Sequence, residues 1–550
     1  MRRWGWIWIL LWGAAALAQD ATPSPNEYTM TASETREFRG MISDVYDMVF
    51  IRVQDVPAGA TLYLFAEGYN GVDPYMRLFS ADLNTVLAAD DDSGGQRRAA
   101  IAYTTDASGD LFVNVYAANN AAGGYRIVVG VNDPQVHGAL NIALTQQATC
   151  APDPTAQRPR LSGPLKQIGS ERVLIHYTLN GVDATTDYYA AQMLEALELS
   201  LTVQFGQLGW RQPPSDCGVG GDNRLDVYIR DIASSAIGYA YPETMVGDNP
   251  NTPEREFFAA SSYLVIDNDM SFVKPEEALT LMKTTAVHEV HHNIQFGYDT
   301  TESFFGFYES GATWIETLVT PDETDAYSYD AVLAHPDLCI GSEADENGTR
   351  IYAEWVMVDS IARDLGMLSY QRLWEFLALE EGLDAFYQGL GRLGASPETI
   401  IRRMAIRNLL LDYPHAQRFE RRVAVEAVVD ALGAIIPMED GVQQQGVDYV
   451  RVNLGGVLRF ERVGGANLRL TLVGINSAAQ TATSYSLGGD GVVDTDPYDH
   501  VYLIVQNTTR HSRVEDCYYA DWGVIVSDGS GLPPTPPDPD VWNASNYRPS

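Results

Sequence analysis

A five-residue stretch, His288-Glu289-Val290-His291-His292, constrains this chain more than any other feature. Its outer histidines can act together only if the backbone between them is helical. Residues i and i+4 then share one face, about 6 Å apart along the axis. The neighbouring sequence predicts that helix. Pro275 suits a first turn, and Glu276 and Glu277 suit the positive end of a helix dipole. Leu279, Met282, Ala286 and Val290 then recur at helical spacing. Two imidazoles presented this way can converge on one Zn²⁺ at about 2.0–2.1 Å, and Glu289 beside them can take a proton from water.

A hydrolytic zinc site keeps three protein ligands and one open position. His291 is a spare histidine, a competing ligand or a neighbour of the site. A third histidine close behind the motif is excluded, because Gln295 and Tyr298 stand where H-E-x-x-H-x-x-G-x-x-H needs Gly and His. The next acids are Glu309 and Glu316 in Tyr308-Glu309-Ser310-Gly311-Ala312-Thr313-Trp314-Ile315-Glu316. Glu309 is the preferred third ligand. Glu316, two turns later on the same face, is the alternative, or else the carboxylate that holds a ligand imidazole.

The run from His288 to Tyr298 followed by Glu309 to Glu316 resembles secreted bacterial metalloproteases of the gluzincin type. The resemblance implies a zinc peptidase over residues 165–440, with His288, His292 and Glu309 as ligands and Glu289 as general base. Ser310 departs from the commoner pattern, which has Gly directly after the Glu. A donor for the developing oxyanion is expected downstream, and His335 and Tyr352 are the candidates. Ser262-Tyr263-Leu264-Val265-Ile266 is a candidate edge strand for pairing with an extended peptide.

The remainder of the chain predicts a multidomain protein: an N-terminal β-sandwich, a central α+β zincin-like metallopeptidase domain and a C-terminal β domain. Residues 28–131 alternate short strands with Gly, Asp and Asn turns, as a sandwich does. Asp73-Pro74-Tyr75-Met76-Arg77-Leu78-Phe79, Ala89 to Gly95, Ser108 to Val115 and Gly123 to Ile127 resemble the bacterial pre-peptidase C-terminal domain, an accessory to secreted peptidases. Residues 132–164 are proline-containing and read as a linker, 448–527 as short strands, and 529–550 as a disordered, Pro-rich tail. Asp90-Asp91-Asp92 and Asp222 to Asp226 are candidate calcium sites, neither matching a full calcium loop.

Arg2 and Arg3, the apolar run Trp4–Leu17 and Ala16-Leu17-Ala18 read as a secretory signal over residues 1–18. Export then permits up to two disulfides among Cys150, Cys217, Cys339 and Cys517, in any of three pairings. The net charge of −37 argues against nucleic acid or an anionic membrane as partner. The expected partner is a peptide or protein substrate. Two rival functions are a zinc hydrolase of a non-peptide bond and a non-catalytic extracellular binding protein with a degenerate site.

Overall fold

The computed structural model describes residues 27–42, 48–69, 72–81, 85–90, 93–94, 98–118, 123–137, 156–232, 237–252, 255–342, 348–437, 441–513 and 517–548. The signal segment, Asp91, Asp92 and Cys150 lie outside them. The chain divides into two units, Met1–Thr149 and Cys150–Ser550.

The first unit contains strands β1 (Glu27–Thr31), β2 (Arg36–Ile42), β3 (Val49–Val56), β4 (Thr61–Gly68), β5 (Pro74–Phe79), β6 (Val86–Asp90), β7 (Arg98–Thr104), β8 (Gly109–Ala117) and β9 (Gly123–Val131). They form one sheet in the order β1-β3-β8-β5-β6 and another in the order β2-β9-β4-β7. Alternate residues of both sheets, among them Ile51, Val53, Leu62, Leu64, Val113 and Ile127, share one apolar core. This is the sandwich that the alternation predicts. Asp90 accepts from the Ser93 and Ala100 backbone N–H groups (3.1 and 2.7 Å), so this carboxylate closes a turn.

The second unit opens with a five-stranded mixed sheet: β10 (Lys166–Gly169), β11 (Val173–Tyr177), β12 (Leu225–Arg230), β13 (Gly238–Gly247) and β14 (Ala259–Asp267). Their order is β10-β11-β12-β14-β13. β11, β12 and β14 run parallel, and β13 lies antiparallel to β14 at the edge. The expected edge strand, Ser262–Ile266, is therefore interior. Every residue of β14 is buried, which is why its apolar run lacks an exposed face. The true edge, β13, was hidden by Pro242 and its half-exposed polar residues, features that edge strands carry.

Helix α1 (Asp187–Leu201) is capped by the Thr186 side chain, which accepts from Tyr189 N–H, and continues into a π-turn, Thr202–Gln207. Helix α2 (Pro275–Phe296) begins at Pro275, as the sequence predicts, and packs against α1, β14 and β13. Then follow α3 (Gly306–Val319), α4 (Ala331–Ala334), α5 (Arg350–Ala353), α6 (Trp355–Leu365), α7 (Ser369–Leu377), α8 (Gly382–Arg392) and α9 (Pro397–Leu410).

The C-terminal strands do not stand apart as a separate domain. In strands Val447–Val452, Leu468–Asn476 and His500–Asn507, one face (Val450, Leu470, Leu472, Leu503) packs on the other β-sheet. The opposite face (Tyr449, Val473, Tyr502, Ile504) joins the core of the helices. Tyr449 donates its hydroxyl to the Ala405 carbonyl of α9 (2.8 Å). The disulfide Cys339–Cys517 ties the segment after α4 to this region, and Cys217 is also disulfide-bonded.

The tail and the linker also differ from expectation. Val541–Asn543 adds a strand beside Thr481–Gly488. Trp542 is buried there, donating Nε1–H to Ser484 Oγ (3.1 Å) under the Arg403 and Arg407 guanidiniums. One aromatic anchor and the Arg402–Asp538 pair (2.8 Å) outweigh the disorder-prone composition. Within the supposed linker, Pro134–His137 forms a 3₁₀ turn and Arg158 is a buried ion-pair hub, bonded to Asp216 (2.6 Å), Asp226 (3.0 Å) and Glu243 (2.5 Å). This also corrects the second calcium reading: Asp226 is taken by Arg158 and His176, and Asp222 by Arg224.

Candidate metal and catalytic site

From Met282 to Gln295 helix α2 is buried on most sides, so its polar residues there must find partners inside the protein. Asn293 donates to Ser262 Oγ (2.5 Å). His288 and His292 stand one turn apart, ring centroids 4.6 Å from each other. Helix α3 runs beside α2 and brings Glu309 to both. Its Oε2 lies 3.1 Å from His288 Nε2 and 3.5 Å from His292 Nε2. One ligand atom from each of these three residues lies within 4.8 Å of the other two.

The far side of each imidazole is also held. His288 Nδ1 is 2.8 Å from Glu316 Oε1, whose other oxygen accepts from Thr324 Oγ1 (2.8 Å). His292 Nδ1 is 2.7 Å from Gln295 Oε1. Both rings therefore turn Nε2 toward Glu309. Glu316 sits behind His288 rather than among the converging atoms, so the geometry separates the two acids that spacing alone left open.

Glu289, next to His288 on α2, packs against Gly238 of the edge strand β13 and lies within electrostatic reach of His288, His292 and Glu309. It is 5% exposed, and Oε2 has no hydrogen-bond partner. Burial raises its pKa, opposed by the nearby imidazoles and by the Ala240 backbone N–H of β13. Gly238 makes room for it: a Cβ there would meet Thr285 Cγ2 at 2.6 Å and Glu289 Cγ at 3.0 Å. Burial alone would raise the pKa of Glu309, but the His292 and His288 imidazoles hold this carboxyl well below the usual range.

Tyr352, half-buried on α5, lies near Glu309; burial and the charge of that carboxylate raise its pKa, and its ring lies 6.0 Å from that of His288. His335 is placed elsewhere. It is an exposed residue at the end of α4. Its carbonyl accepts from Arg350 (2.7 Å), and the following Pro336 and Asp337 bond to the C-terminal strands, carrying the chain away from the cluster. His291 is also outside the cluster, bonded on both nitrogens within the core. Sequence reasoning missed Gln295, Gly238 and β13; each had a signal only in its distance from the motif.

Two imidazole nitrogens and one carboxylate oxygen form a donor set that zinc accepts, and the orphaned Glu289 oxygen beside them is what a base acting on water needs. A second group, Cys339, His511 and Cys517, is a disulfide beside a buried histidine, so its sulfurs are already spent on each other.

No protein-family model and no curated protein matches the chain. Solved structures with partial likeness include a ZmpB metallopeptidase from Clostridium perfringens, at 9% identity over 80% of this chain and 93% of that one, TM-score 0.26. The IMPa metallopeptidase from Pseudomonas aeruginosa aligns at 11% identity over 66% of this chain and 44% of that one, TM-score 0.19. The pre-peptidase C-terminal domain of a Bacillus anthracis collagenase aligns at 12% identity over 20% of this chain and 99% of that one, TM-score 0.17. At such scores these likenesses carry no argument, and the site stands on its own geometry.

Proposed function

We propose that the chain is an exported zinc-dependent peptidase. The observation that carries this reading is the convergence of His288 Nε2, His292 Nε2 and a Glu309 oxygen within 4.8 Å, with the free carboxylate oxygen of Glu289 buried alongside. His288, His292 and Glu309 would hold zinc, which supplies Lewis acidity toward a carbonyl oxygen and toward water. Glu289 takes the proton of the attacking water and returns it to the departing amine nitrogen. Its raised pKa suits both halves of that task. Tyr352, beside Glu309 and His288, is the candidate donor to the developing oxyanion.

The strand β13 supports a peptide or protein as substrate. Among the described residues this strand pairs with β14 on one side only, and its first residues lie over Glu289. An extended polypeptide laid along its free edge would find backbone donors and acceptors in register with the site. A small ester or amide would leave that edge unused. Among the described residues no helix is long and apolar enough to cross a membrane.

The test is digestion of a diverse peptide mixture by the zinc-loaded protein, read by mass spectrometry, beside Glu289→Gln and a chelated sample. Cleavage lost in both controls supports the reading. Cleavage that persists in Glu289→Gln sinks it.

A further inference from the structure

The two histidines of the cluster are held differently. His288 Nδ1 faces a carboxylate, Glu316, whereas His292 Nδ1 faces a carboxamide, Gln295. The orientation of that amide is fixed by its other end. Gln295 Nε2 lies 3.1 Å from the Tyr308 carbonyl oxygen, which can only accept. Reversing the amide would set two acceptors against each other in a fully buried place. Oε1 therefore faces His292, and His292 must donate from Nδ1.

The same logic runs on through the core. Gln295 Nε2 also donates to the Tyr370 hydroxyl oxygen (3.1 Å). That leaves the Tyr370 proton for His291 Nε2, 3.0 Å away. His291 then bears its own proton on Nδ1 and donates it to Gln204 Oε1 (2.7 Å). Gln204 Nε2 donates to Ser200 Oγ (2.9 Å). Ser200, Gln204, His291, Gln295 and Tyr370 are all wholly buried, and every hydrogen bond points the same way. The π-turn after α1 supplies Gln204, and a missing side chain supplies the gap: a Cβ on Gly311 would lie 1.5 Å from the Tyr370 hydroxyl.

We propose that Gln295 is a positioning residue for His292, and that the buried chain Gln204–His291–Tyr370–Gln295 fixes the His292 tautomer that turns the Nε2 lone pair toward the metal. The proposal rests on the zinc reading above. It gives His291 a role that is not ligation. It also accounts for an amide at position 295: the site already holds Glu289, Glu309 and Glu316, and Gln orients a ring without adding a fourth buried negative charge.

The test uses the full chain and two readouts besides cleavage. One is zinc affinity by competition with a chelator. The other is the visible spectrum of the cobalt(II)-loaded protein, which reports ligand geometry. Gln295→Leu is expected to weaken zinc binding by about 10–100-fold. The near-isosteric Tyr370→Phe and the added methyl of Gly311→Ala are expected to weaken it several-fold and to shift the cobalt bands. Phe386→Leu, a core change packed on Phe304 and Phe307, is the control that lowers stability without moving either readout. If Gln295→Leu does not fold, Tyr370→Phe and Gly311→Ala decide. Wild-type affinity and an unmoved spectrum in folded variants overturn the chain while leaving the zinc reading intact. A wild-type protein that binds no zinc overturns both.

Discussion

At the scale of the residue, each polar side chain near the cluster has a distinct task, and the tasks are separable by substitution. Glu289→Gln keeps the shape and removes the base. Hydrolysis should fall by about 10²–10⁴-fold while zinc affinity holds, as single-turnover assays and chelator competition would show. Glu316→Gln should do the reverse first: it loosens the grip on His288 and weakens zinc by about 10–100-fold. Gly238→Ala tests the approach of β13 to α2. Its methyl would press on Thr285 and Glu289, so kcat should drop with little change in zinc affinity. Glu289 was legible in the sequence because the helical period sets it beside the two histidines, whereas spacing alone left Glu316 and Glu309 unseparated. Gln295 was legible only as the residue that spoils a different motif. Its partner Tyr370 lies 75 residues away, and Gln204 lies 87 residues from its own partner His291, beyond any local pattern.

At the scale of the element, the sequence favoured helices over strands. The periodicity and N-terminal signals of α2 predict its span closely, since Pro275 and the first-turn acids are local chemistry. The edge of the sheet was misassigned because an interior strand and an edge strand differ in their neighbours, which no window of sequence contains. The proline-rich end was misread for a related reason: Trp542 decides its fate, and a single buried ring is invisible in an average over composition. Trp542→Ala should cost about 3–5 kcal/mol and release the strand Val541–Asn543, measurable by denaturant titration and by protease sensitivity after Thr535. Arg158 makes a parallel case. Arg158→Ala would leave Asp216, Asp226 and Glu243 without their shared cation. A loss of about 3–5 kcal/mol is expected in the same titration.

At the scale of the whole molecule, the second unit is one folding body whose parts the sequence presents as two. Strands buried on both faces read as ordinary β segments, and nothing in their alternation says that Tyr449 and Tyr502 belong to the helical core. The β part of this unit has a pH signature. Asp448, buried and accepting from Trp522 Nε1–H (2.5 Å), has its pKa pushed up to about 8. In the folded state it keeps a proton that the unfolded chain releases near pH 4. Its contribution is therefore fully present below about pH 4 and is lost as the pH rises through about 8. Unfolding free energies between those limits should fall with pH more steeply in the wild type than in Asp448→Asn, which keeps an acceptor for Trp522. Equal slopes would show that Asp448 is ionised in the fold.

The shared core has a consequence for the order of events in the life of the chain. His288, Glu289, His292 and Glu309 are synthesised well before the strands after Val447 that complete the shared core, and before Cys517, which is bonded to Cys339. A chain still emerging from a ribosome thus carries these side chains before the core behind them is complete. The core around these groups is therefore complete only once the last strands are made and the Cys339–Cys517 bond has closed.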